Sequence, residues 1–145
     1  MNSYADTSFL VSLYGRDVNS LAAISLLRKH QPVFVVTPFG ETEFTSVVFA
    51  VTARPRGWTL SEARAIEENF TDDLQRGVWQ WENFPSEIWA RARELARRHA
   101  PALGCRALDA LHVASALTVA ADDFYTFDRD QAKLARAVGL RVLGS

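Results

Sequence analysis

A chain of 145 residues is the size of one domain, read here as a single domain spanning residues 1–145, and long enough to close a core without disulfides or metal staples. With 48% hydrophobic and 23% charged residues and a net charge of −1, it is neither a disordered nor a collagen-like chain. Its one cysteine, Cys105, excludes an internal disulfide and any multi-cysteine zinc site.

The opening MNSYADTSFL lacks a basic leader region and carries Asp6 where a signal peptide needs unbroken apolar residues, so a cytoplasmic location is expected. Ser3-Tyr4-Ala5 reads as a short strand ending at Asp6. Thr7 to Tyr14 and Asp17 to His30 read as helices, the second with Leu21, Ile24 and Leu27 along one face. Val33 to Val36, after Pro32, is a β-branched and aromatic run that fits a strand buried on both faces of a parallel sheet. A helix from about Gly40 to Ala53 follows, with Phe44, Val47, Val48 and Val51 on one face, and Arg54-Pro55-Arg56-Gly57 breaks it. Thr59 and Glu62 have the spacing of a capping box for a helix to about Arg76, stopped by Gly77.

Val78 to Trp81 is the weakest strand signal. Pro85 opens a helix that runs to His99 and is closed by Pro101, with Ile88, Trp89, Ala92, Leu95 and Ala96 facing inward and Arg91, Arg93, Arg97 and Arg98 outward. Arg106 to Ala120 is an almost wholly apolar helix. Its stretch without Asp, Glu, Lys or Arg, Ala110 to Ala121, falls short of the ~18–20 residues that span a bilayer. Phe124-Tyr125-Thr126 is a strand, Asp128 to Val138 a helix capped by Gly139, and Leu140 to Leu143 the last strand. Strands separated by helices imply an α/β fold with a largely parallel sheet covered on both faces. Ligands in such sheets bind outside the carboxyl ends of the strands, near the point where the strand order reverses.

Four acids stand out by location. Asp6 follows the first strand and Asp128 the fourth, so both lie at that edge, although either is also a preferred helix N-cap. Asp109 is the lone charge in ALDALHVASALTVAA, on the face of His112, Val113, Ala116 and Ala120. The helix dipole favours an anion there by about 0.3–1 kcal/mol, against a cost of several kcal/mol for a partly buried unpaired charge. Glu43 lies early in the helix after the second strand, with Glu41 as its competitor. Two carboxylates about 4 Å apart repel by about 4 kcal/mol at an effective dielectric near 20. A cluster of them points to a hard divalent cation, Mg2+ or Mn2+, held by oxygen ligands, or to protonated acids. His30, His99 and His112 lack ligand-pair spacing, and His112 reads as a hydrogen-bonded core residue. Dinucleotide, P-loop and hydrolase-elbow motifs are absent. Without the four acids, 13 acidic residues face 16 basic ones, 14 of them Arg, which suits a polyanionic substrate.

YADTSFLVSLY, the acid after the second strand, RALDALHVASAL and TFDRDQAKLA together resemble the PIN-domain ribonucleases, most closely the VapC-type toxins of toxin–antitoxin pairs. The resemblance implies a three-layer α/β/α sandwich with a mainly parallel five-stranded sheet. It further implies Mg2+- or Mn2+-dependent hydrolysis of RNA to 5′-phosphate and 3′-hydroxyl ends. Asp6, Glu43, Asp109 and Asp128 become the metal-binding and catalytic acids, with Asp130 the weaker candidate for the fourth. Thr126, Ser8 and Thr7 match positions that hold a carboxylate or a water. Arg106 and Arg129, beside the third and fourth acids, are candidate contacts to RNA phosphates. A small antitoxin that sends a basic side chain among the acids is the implied partner.

Two other functions share this fold: a catalytically silent nucleic-acid-binding scaffold, and a metal-dependent phosphoesterase acting on DNA or small phosphate esters. Homodimerisation is expected through apolar surface at Phe49 and the helices from Gly40 to Arg76. The four Trp residues are expected mainly in the core.

Overall fold

The computed structural model describes residues 2–83 and 86–145, so the helix-opening role expected of Pro85 lies outside the described residues. In chain order the elements are β1 (Asn2–Ala5), α1 (Thr7–Tyr14), α2 (Ser20–His30), β2 (Phe34–Val36), α3 (Pro38–Val51) and α4 (Leu60–Gln75). There follow β3 (Gln80–Trp81), α5 (Glu87–Leu103), α6 (Ala107–Thr118), β4 (Ala121–Tyr125), α7 (Arg129–Ala137) and β5 (Arg141–Leu143). Among the described residues the strands form one five-stranded parallel sheet in the order β3-β2-β1-β4-β5.

Side chains alternate across the strands, and both faces are covered. Tyr4, Val35 and Phe124 point into a core closed by α5, α6 and α7. Ala5, Phe34, Val36 and Tyr125 point into a second core closed by α1, α2, α3 and α4. Register pairs Tyr4 with Val35 on one side and with Phe124 on the other, which stacks these rows across the sheet. The result is the three-layer α/β/α sandwich. Because β2 lies on one side of β1 and β4 on the other, the strand order reverses at β1, and a crevice opens beyond the carboxyl ends of β1 and β4.

Local chemistry explains the element ends. The capping box at Thr59 and Glu62 is formed in both directions, with distances of 3.1 Å each way. α3 starts earlier than its apolar pattern predicts, because Thr37 caps it through the Gly40 N–H and Pro38 fills its first turn. Conversely α2 starts later, at Ser20, since the Asp17 side chain accepts from the Asn19 N–H at 2.8 Å and holds residues 17–19 in a turn. Pro101 does not close α5. It removes one hydrogen bond in the last turn, and the helix continues to Leu103, where Gly104 takes φ +65° and its N–H reaches the Ala100 carbonyl.

Three packing expectations are corrected. Trp89 is 58% exposed, flanking the buried stripe Ile88, Ala92 and Leu95 rather than joining it. Trp81, on the two-residue edge strand, is 50% exposed, so only Trp79 of the four is buried and Trp58 half-buried. Leu21 is 83% exposed, because α2 offers Ala23, Leu26 and Leu27 to the core instead. Phe49 is half-buried and packs against the second core. Among the described residues no helix is long and apolar enough to cross a membrane.

Candidate active site

Asp6 ends β1 and caps α1, and at 3% exposure it is the most buried of the four acids. Its Oδ1 accepts from the Ser8 hydroxyl at 2.6 Å and the Phe9 N–H at 3.1 Å, and its Oδ2 accepts from the Thr126 hydroxyl at 2.5 Å. Burial raises the pKa of this carboxyl above the ordinary range, against the opposing pull of His112 and of these three donors. The hydroxyls of Ser8 and Thr126 therefore hold the Asp6 carboxyl.

Glu43 projects from α3 and is tied through Oε1, which accepts from Thr7 Oγ1 and lies 2.5 Å from His112 Nε2. His112 is 3% exposed, and its Nδ1 lies 2.8 Å from the Tyr4 hydroxyl. Burial pushes the Tyr4 phenol up, so it stays protonated beside Nδ1, and because the Glu43 carboxylate can only accept, Nε2 is the nitrogen that donates to it. Burial alone would raise the Glu43 pKa, but the hydrogen bond and charge of His112, with Thr7, outweigh it and hold the carboxyl below the usual range. His112 is thus a core residue that positions Glu43. Tyr4 was not singled out in the sequence. Its only signal there was a hydroxyl in a strand buried on both faces.

Asp109 stands half-buried in the first turn of α6, where its Oδ2 accepts from the Arg106 N–H at 2.9 Å. Asp128 is exposed and caps α7, its Oδ1 accepting from the Asp130 N–H at 2.8 Å and the Gln131 N–H at 3.1 Å. Gln131, buried at 2%, donates to the Asp109 backbone carbonyl at 3.0 Å and fastens the start of α6 to α7. This residue too was missed, although a polar side chain on the apolar face of α7 was a readable signal.

All four acids line one cleft of about 430 Å³, together with Thr7, Ser8, Arg106, His112, Asp130 and Gln131. Asp130 is 3.5 Å from Lys133 Nζ. Glu41 is not among the lining residues; its Oε1 accepts from the indole N–H of Trp81, which leaves Glu43 as the acid α3 brings to the cleft. Arg106 lines the cleft and is exposed, whereas Arg129 is exposed outside its lining.

The expected mutual repulsion is relieved locally, since each carboxylate has its own donors. Among the described residues, no three Asp, Glu, His or Cys side chains converge closely enough to hold a metal ion together. The donor set nonetheless fits a hydrated Mg2+ or Mn2+. Mg2+ keeps several waters and is commonly bound through one or two carboxylates. Glu43, Asp109 and Asp128 each have one oxygen without a protein donor among the described residues, and Asp6 is a buried carboxyl whose charged form, disfavoured by burial, a cation would stabilise.

Comparison with known proteins places this geometry in a family. A model of the PIN domain matches residues 3–137. No curated protein sequence matches the chain. Among solved structures it is similar to VapC20 of Mycobacterium tuberculosis, described as a sarcin–ricin loop cleaving toxin, at 19% identity and TM-score 0.70 over 99% of this chain and 98% of that one. It is similar also to VapBC2 of Rickettsia felis, bound to a fragment of its promoter DNA, at 15% identity and TM-score 0.64 over 99% and 98%. FitAcB of Neisseria gonorrhoeae matches at 14% identity and TM-score 0.62 over 99% and 96%. At such identities the likeness is one of fold, and it agrees with the family match: this chain belongs to the PIN-domain family.

Proposed function

We propose that the protein is a divalent-metal-dependent endoribonuclease of the cytoplasm and the toxin of a toxin–antitoxin pair. The observation that carries this reading is the convergence of Asp6, Glu43, Asp109 and Asp128, from four separate stretches of chain, on one cleft at the carboxyl edge of a PIN-family sheet.

In this reading Asp6 and Asp109 are the principal ligands, and Glu43 and Asp128 complete the shell or orient the attacking water. A bound Mg2+ or Mn2+ supplies Lewis acidity, neutralising charge on the phosphoryl group and easing deprotonation of water. Ser8, Thr126 and the Phe9 N–H fix both oxygens of Asp6 before substrate arrives, so little reorganisation is needed at the moment of reaction. Tyr4 and His112 do the same for Glu43, which is ionised at neutral pH and free to accept a hydrogen bond from water through Oε2. In-line attack of water on phosphorus and departure of the 3′ oxygen, which takes up a proton, leaves a 5′-phosphate and a 3′-hydroxyl. Arg106, which lines the cleft and is exposed, takes in this reading a contact to a neighbouring phosphate.

An antitoxin partner accords with an acidic cleft that suits a basic side chain and with the VapBC2 likeness. Homodimerisation belongs to the same reading and is tested by sedimentation of the purified chain. For catalysis the test is degradation of a labelled RNA in Mg2+ and its suppression by EDTA, with DNA and a simple phosphodiester as competitors. Mg2+ should also raise the melting temperature, since an ion at one hundred times its Kd stabilises the native state by about 2.7 kcal/mol. No shift at millimolar Mg2+ would count against the proposed ligand set.

A further inference from the structure

A second cavity, of about 380 Å³, adjoins the acidic cleft and shares Val47 as a wall. Both are lined by residues of α1 and α3, and they meet at Val47. Thr7 lines the first and Val11, one turn on, the second. On α3, Glu43, Val47 and Val51 follow at four-residue spacing, so this side of the groove runs about 12 Å from the acid to the far end. Apolar Val11, Val47 and Val51 form part of its lining, and three arginines line it as well.

The charges of this groove are not equivalent. Arg16 is paired with Glu62 at 2.7 Å, and Asp17 accepts from Ser12 and from the Asn19 N–H within its own turn. Arg54 and Arg56 are exposed and form no ion pair or side-chain hydrogen bond among the described residues. With Arg16, Arg54 and Arg56 against Asp17 and Glu62, the lining carries a net positive charge. The turn that carries them is firmly set. The Gly57 N–H closes on the Arg54 carbonyl at 3.0 Å, with Pro55 between, and a Cβ at Gly57 would lie 1.9 Å from the Val51 carbonyl oxygen. Arg56 sits at φ +60°, a backbone region that turns give to Gly or Asn and that an Arg occupies at a cost. A costly conformation is thus retained at one of two unpaired cations facing a groove that leads to the acids.

We propose that this groove is the subsite for the RNA strand on one side of the cleaved bond, with Arg54 and Arg56 holding backbone phosphates; the assignment rests on the ribonuclease reading of the acidic cleft. A strand with a phosphorus among the acids must leave the cleft along some surface, and the continuation past Val47 offers two guanidiniums, those of Arg54 and Arg56, without an acid partner among the described residues. Guanidinium forks suit phosphate oxygens, and a single-stranded backbone tracks a basic groove without base-specific contacts.

The test is binding of a fluorescent single-stranded oligoribonucleotide to the whole chain in EDTA, where the proposed chemistry is silent, across a salt series. Arg54→Gln/Arg56→Gln should weaken binding tenfold or more and make the log–log salt slope shallower by about 1.4, the value for two phosphate contacts to a single strand. Arg54→Lys/Arg56→Lys should keep most of the slope, because the charges remain. Arg56→Gly guards against a folding artefact: it relieves the left-handed backbone, so it should melt higher than wild type and still bind RNA more weakly. An unchanged affinity and slope in the Gln variant, or no RNA binding by wild type, overturns the subsite and leaves the groove to a protein partner. Binding as expected without cleavage in Mg2+ would instead sink the nuclease reading and leave an RNA-binding groove with no cleaved bond beside it.

Discussion

Asp6→Asn should abolish metal-dependent RNA cleavage and, without metal, make the protein more stable at neutral pH than wild type. Both effects come from one carboxylate. As a ligand its loss removes several kcal/mol of transition-state stabilisation, a rate loss of about a thousandfold or more. As a buried group it is destabilising when charged, because burial raises its pKa in the folded chain. Below the ordinary aspartate range both folded and unfolded chains carry the proton, and nothing is lost. As pH rises through that range the unfolded chain ionises first, so native stability falls until the raised native pKa is passed. Asn keeps the cap and the shape but cannot ionise. The gain in melting temperature should therefore be present at pH 7 and shrink toward pH 3, which thermal melts in EDTA would show. A variant equally active, or less stable at pH 7, contradicts this role for Asp6. Asp109→Asn should lose activity similarly without the same stability gain, since Asp109 is half-buried and its Oδ2 caps its own helix.

Phe9→Ala carries the largest expected loss of stability. Phe9 is fully buried, and its ring meets those of Phe34, Tyr125 and Phe127 at centroid distances of 5.6, 5.1 and 5.3 Å. Truncating such a ring costs about 3–5 kcal/mol, a large share of a total of about 5–15 kcal/mol. The same residue donates its N–H to Asp6 and belongs to α1, which also bears Thr7 and Ser8. Loosening this contact should also reduce cleavage per folded molecule. Urea denaturation reads the stability loss as a lowered midpoint, and a change below about 1 kcal/mol would mean that α1 does not depend on this ring.

Much of the fold was legible because it is locally written. The Thr59–Glu62 capping box, the unbroken apolar run before Thr37 and the full apolar wrap of α6 each have one structural reading. Asp6 and Asp128 could be placed at the carboxyl edge because each lies within a few residues of a strand's end, whichever neighbours that strand takes. Strand order was not legible, since it depends on β1 pairing with β4 (Tyr4 with Phe124) across most of the chain as well as with the nearer β2 (Tyr4 with Val35). Trp89 and Leu21 were misassigned because helical periodicity fixes a stripe only to within a residue, and the neighbouring layer decides its edges. The cleft acids were found by position, but their hydrogen bonds were not. Tyr4 behind His112 and Gln131 behind Asp109 come from other elements, so no spacing in the chain announces them.

The central claim is that these carboxylates jointly hold a divalent ion. Anomalous diffraction from crystals soaked in millimolar MnCl2 locates such an ion without reference to activity. The account predicts a peak in the cleft with oxygen ligands at about 2.1 Å from at least two of Asp6, Glu43, Asp109 and Asp128. A cleft without a peak, or manganese bound only elsewhere on the chain, would contradict it.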